Sequence, residues 1–69
     1  MDYVEKFVKG VNILNQYVDE DSLIETTEEV FAFTITTEVS DEDYVKLMVL
    51  DWRPEGFLFG YTWYFDTEG

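Results

Sequence analysis

The residues with the greatest capacity for chemistry are carboxylates, and they come in runs: Asp19-Glu20-Asp21, Glu28-Glu29 and Asp41-Glu42-Asp43. Carboxylate oxygens can ligate a hard cation, but none of these runs has the spaced Asp/Asn ligands, turn glycine and distal Glu of a twelve-residue calcium loop. Paired carboxylates can also serve as acid and base in glycoside hydrolysis, a reaction that needs a cleft. A chain of 69 residues has little volume from which to build one. With no histidine and no cysteine there is no imidazole base, thiolate, Cys/His zinc site, haem ligand, iron–sulfur cluster or disulfide. The expectation is therefore a binding module, not an enzyme, with no cofactor and no metal.

The charge is also uneven. Sixteen acidic residues face four basic ones, for a net charge of −12. The four bases are Lys6, Lys9, Lys46 and Arg53, and none falls between residues 10 and 45. Residues 1–18 are neutral, whereas residues 19–43 hold ten acids and no base. Four cations among so many carboxylates cannot neutralise a phosphate backbone, so direct nucleic-acid binding is not expected. One plain explanation is solubility, with charged residues guarding a strand edge. The functional alternative is that the carboxylates stand in for phosphates and occupy the nucleic-acid groove of a basic protein.

Acidity of this degree can signal disorder, but 46% hydrophobic and 19% aromatic content supply enough apolar surface for collapse. At this size the folded surface should be roughly 4,500 Å², which leaves a core of marginal size. The expectation is one domain spanning residues 1–69. The first residues lack the apolar core of a secretory signal, and no apolar run reaches membrane-spanning length, so a cytoplasmic protein without a membrane partner is expected.

The elements that position the carboxylates follow from periodicity. Val4, Phe7, Val11, Leu14 and Val18 recur at spacings of three and four, which predicts an amphipathic helix from Asp2 to about Val18. The acids at 19–21 oppose its negative pole, so the helix should stop by Asn15 or Gln16 unless another role retains them. Gly10 should weaken it by up to ~1 kcal/mol relative to alanine. Alternation then predicts strands over Val30–Val39, Tyr44–Trp52 and Phe57–Asp66, with breaks at Ser40–Asp43 and at Arg53-Pro54-Glu55-Gly56. Ser22–Thr27 fits either a capped helical turn or a short extra strand beside the Val30 strand, and the strand is preferred. The fold class is thus α+β: one N-terminal helix packed in two layers on a three- or four-stranded antiparallel meander.

In that register one sheet face collects Phe31, Phe33, Ile35, Val39, Tyr44, Met48, Leu50, Trp52, Phe57, Phe59, Tyr61, Trp63 and Phe65 as the core. The helix should cover it through Phe7, Val11 and Leu14. The opposite face would carry Val45, Leu47, Val49 and Leu58 at its centre, Tyr64 as an aromatic anchor, and Glu28, Glu38, Asp51 and Asp66 at its margins. Strand rise puts Glu28 and Glu29 roughly 35 to 40 Å from Asp41, Glu42 and Asp43, about one turn of duplex. These residues form the expected partner surface.

In size, acidity and sheet content the chain resembles the phage-encoded nucleic-acid mimics: anti-restriction proteins, anti-CRISPR proteins and uracil-DNA glycosylase inhibitors. The resemblance implies a stoichiometric inhibitor that binds the basic groove of a host enzyme. It rests on no motif, so no site residue is carried over. Two other readings fit the same residues. One is an immunity or antitoxin protein neutralising a cationic nuclease, and the other a homo-oligomeric acidic protein, a homodimer through Val45, Leu47 and Val49.

Overall fold

The structure is a computed structural model, and it describes residues 2–57 and 60–66. The architecture is α+β in two layers: helices on one face of a four-stranded antiparallel sheet. Its surface of 4781 Å² agrees with the size expectation. Helix α1 spans Tyr3–Leu14 and tightens into a 3₁₀ turn at Asn15–Tyr17. Its first turn is capped by Asp2, whose carboxylate accepts the Glu5 N–H at 2.8 Å. The α-helix stops before the 19–21 acids reach its negative pole, as the dipole requires.

Strands β1 (Leu23–Thr26) and β2 (Val30–Ile35) form an antiparallel hairpin, with Leu23 opposite Thr34 and Thr26 opposite Phe31. The short strand expected between Ser22 and Thr27 is therefore present. The expected first long strand, Val30–Val39, ends four residues early.

Residues Tyr44–Trp52 do not form a strand. Asp41–Val49 is a second helix, α2. Ser40 caps it, its hydroxyl accepting the Asp43 N–H at 3.2 Å, and three acids in the first turn complement the helix dipole. Leu47 and Leu50, three apart, are buried, while Val45 and Val49 are exposed. The register that pairs Val39 with Tyr44 is thus replaced by helical spacing. Tyr44, Met48 and Tyr61, expected in the core, are exposed.

The strand order is β1-β2-β4-β3, so the sheet is not a meander. Strand β3 (Trp52–Phe57) pairs with β4 (Gly60–Asp66), which also pairs with β2. Since β4 is antiparallel to both, β2 and β3 run parallel, and parallel strands need a crossover. Helix α2 is that crossover, with β4 inserted between the two strands it joins. Arg53-Pro54-Glu55-Gly56 lies inside β3 rather than in a turn, and Trp52 pairs with Phe65 rather than Phe57. A proline is tolerated there because β3 is an edge strand. Leu58 and Phe59 lie outside the described residues, as does the side chain of Phe57.

The core nevertheless uses most of the expected residues. Leu14, Phe33, Ile35, Val39, Leu47, Leu50, Trp52, Trp63 and Phe65 are buried together, with Phe7 and Val11 packed against them. Trp52 is fully buried, and its indole N–H donates to the Lys6 carbonyl at 3.2 Å. The indole lies so close to α1 that a Cβ at Gly10 would sit 1.9 Å from Nε1. Gly10 is therefore a packing requirement of the helix–sheet contact, not a weak point in α1.

Candidate functional site

The fold sorts the charges by end. The end where β2 finishes and β1 begins also holds the close of the 3₁₀ turn and the start of α2. Three acidic segments arrive there: Asp19-Glu20-Asp21, Glu38, and Asp41-Glu42-Asp43. Side chains pin two of them in place. The Tyr17 hydroxyl accepts the Ser40 N–H at 3.2 Å and donates to the Asp43 carboxylate, locking the 3₁₀ turn to the α2 cap. The Thr36 hydroxyl donates to the Asp19 carboxylate, locking the acidic loop to the end of β2. The Asp21 N–H donates to Asp19 at 2.9 Å. These donors, the Thr36 hydroxyl foremost, hold the Asp19 carboxyl below its ordinary value. Seven carboxylates thus share one end, and the base nearest them is Lys46, paired with Glu42 at 3.2 Å one turn into α2.

The opposite end is mixed in sign. Lys6 holds Asp51 at 2.5 Å, and Arg53, the second residue of β3, follows close in the chain. Tyr3, Lys6, Asp51, Arg53 and Asp66 line a recess of about 500 Å³ there. Asp51 occupies the left-handed region at φ 67, just past the end of α2, and its N–H donates to the Met48 carbonyl at 3.1 Å. The Lys6 hydrogen bond and charge hold its carboxyl below the ordinary value of 3.8. A carboxyl whose folded value is lowered adds stability above its ordinary value and loses it as pH falls through the folded one. Replacing Lys6 by glutamine should therefore lower the urea midpoint at pH 7. The difference from wild type should shrink once the pH drops below about 3.8, and a difference that persists at pH 2 would contradict this role.

The sequence-derived partner surface is redistributed. Asp41, Glu42, Asp43 and Glu38 do come together, and Asp19, Glu20 and Asp21 join them. Glu28 and Glu29 lie in the β1–β2 turn at the other end. The long axis of the Cα trace is only 30 Å, so the 35 to 40 Å span does not exist and the two groups do not reach across a duplex turn. The shortfall follows from β2 being six residues long. Val45, Leu47 and Val49 form no common face: Leu47 is core, and the two valines sit on the outside of α2. Val45 and Val49 instead border a groove of about 440 Å³ between the helices, with Lys9, Ile13 and Lys46. The sheet-face homodimer expected through these three residues therefore loses its surface.

Tyr64 does lie on the sheet face opposite the core, in a row with Ala32 and Arg53. Partial burial, then the charges of Glu55 and Glu25, push its phenol above the ordinary value of 10.0. Asp66 closes β4 opposite Val30. The grouping of Asp19–Asp21 with the α2 acids escaped the sequence reading because it depends on α2. The signal that would have found it is Ser40 followed three residues later by Asp43, a helix-capping pattern.

No family model, curated protein or solved structure matches the chain. Among the described residues no group of acids is arranged to hold a metal ion, and no helix is long and apolar enough to cross a membrane.

Proposed function

We propose that the chain is a non-catalytic protein inhibitor that places its carboxylate end in the cationic nucleic-acid groove of another protein. One observation carries this reading: two of the acidic segments are pinned at one end of the sheet, Asp43 by the Tyr17 hydroxyl and Asp19 by the Thr36 hydroxyl, while the bases Lys6 and Arg53 stand at the other. Random placement for solubility would not require hydrogen bonds that fix those loops in place. Concentrating like charge costs self-repulsion, which a cationic surface relieves on binding. The expected signature is fast, salt-sensitive association with a basic partner.

The partner would be a basic nucleic-acid-binding protein or nuclease, and the chain would exclude its substrate without touching nucleic acid itself. Immobilised chain should retain such an enzyme from a bacterial lysate at moderate salt, and the retained enzyme should be released by duplex DNA or RNA. Retention of copies of the chain alone would contradict the proposal.

A further inference from the structure

The sheet has two edges, and they are finished differently. On the β3 edge Pro54 removes one backbone donor and Arg53 adds a long cation, both ordinary ways of discouraging strand addition. The β1 edge has neither device. Leu23, Ile24, Glu25 and Thr26 are all exposed, and β1 pairs with β2 alone.

The register shows which backbone groups are on offer. The Thr27 N–H donates to the Val30 carbonyl at 2.8 Å, and the same register continues through Glu25 opposite Ala32 and Leu23 opposite Thr34. In an antiparallel pair, residues bonded across the ladder alternate with residues whose N–H and C=O point away. Ile24 and Thr26 therefore turn their backbone groups to the open side. Leu23 and Glu25 project from the outer sheet face, and Ile24 from the helix face, where it stands opposite Phe33.

We infer that β1 is a docking edge to which a partner protein adds an extended, cationic strand, the backbone ladder giving affinity and the flanking carboxylates choosing the sequence. The inference rests on the basic-partner reading and assigns it an element. Charge selects the occupant. Asp19, Glu20 and Asp21 precede the strand, Glu28 and Glu29 follow it, and Glu25 stands within it. Antiparallel pairing of two copies would bring Asp19–Asp21 of each beside Glu28 and Glu29 of the other, with no base in either segment, so a second copy is disfavoured. A neutral strand would gain the ladder and nothing from the rim. A strand alternating basic and apolar residues gains both, its cations beside Glu25 and its apolar side chains beside Ile24.

The test uses a capped nonapeptide alternating lysine and valine, the same peptide N-methylated throughout, and a glutamate–valine counterpart. The lysine peptide should protect the Ile24 and Thr26 amides from hydrogen exchange. N-methylation, which keeps the charge and removes the ladder, should weaken binding by about tenfold or more. Ile24→Pro, which removes an outward donor and leaves the β1–β2 bonds in place, should do the same to the unmodified peptide. Equal binding of the methylated peptide would overturn the edge assignment while leaving the basic-partner reading intact. Protection of the same amides by the glutamate peptide would overturn the choice of a cationic strand. No protection by the lysine peptide, or dimerisation through β1, would overturn the inference outright. A captured basic partner indifferent to Ile24→Pro would also defeat the edge and spare the reading beneath it.

Discussion

Replacing Gly10 by alanine is expected to destabilise the domain by about 2 to 3 kcal/mol, although alanine is the better helix former by up to ~1 kcal/mol. The sign is decided by the Trp52 indole. An added Cβ would lie 1.9 Å from Nε1 and 2.3 Å from Cε2, well inside contact distance. Either α1 lifts off the sheet or the indole leaves its place, and both open a core in which Trp52 touches Phe7, Phe31 and Phe65. The measurement is urea unfolding of wild type, Gly10→Ala, Trp52→Val and the double variant. Valine lacks every atom that the added Cβ would meet, so if the clash is with the indole the alanine penalty should largely vanish in the Trp52→Val background. An undiminished penalty there would place the cost elsewhere.

Trp52→Ala should cost about 3 to 5 kcal/mol. A 69-residue domain has a total stability of about 3 to 10 kcal/mol, so this variant should be largely unfolded under mild heating. Three contributions are lost together: burial of one of the two core tryptophans, ring contacts with Phe7, Phe31 and Phe65, and the indole hydrogen bond to the Lys6 carbonyl. That bond crosses from the first residue of β3 to the second turn of α1, so its loss also loosens the helix on the sheet. Thermal unfolding followed by circular dichroism tests the expectation. A melting temperature within a few degrees of wild type would mean that the Trp52 contacts do not organise the core.

The helix–sheet core and the acidic end differ in how far the residues alone reveal them. The spacing of Phe7, Val11 and Leu14 gives both α1 and its buried face, because a 3.6-residue period leaves no alternative over three turns. The alternation of Phe31, Phe33 and Ile35 gives β2, and the aromatic core follows from it. Residues 44–50 are different, since Tyr-Val-Lys-Leu-Met-Val-Leu satisfies both periods over so short a run. Length and capping had to arbitrate, and Ser40 with Asp43 carries the deciding signal. Pro54 and Gly56 look like a turn locally, but position at the sheet edge overrides them, and only the topology reveals which strand is the edge. The charge imbalance was legible by counting. Its geometry was not, because a helix in place of a strand moves Asp41, Glu42 and Asp43 beside Asp19. It also makes them poor choices for neutralisation, since they hold the first turn of α2.

Glu20, Asp21 and Glu38 offer a cleaner test, being exposed and outside the helix cap. The decisive measurement is the association rate of the captured nucleic-acid-binding enzyme, taken across a salt series for wild type and for the chain carrying Glu20→Gln, Asp21→Asn and Glu38→Gln. If the carboxylate end seats in the groove, the wild-type rate falls steeply with salt, the variant associates about tenfold more slowly at low salt with unchanged thermal stability, and the enzyme loses its nucleic-acid binding at one equivalent of chain. A rate indifferent to salt and to the three substitutions, with nucleic acid still bound, would contradict that placement.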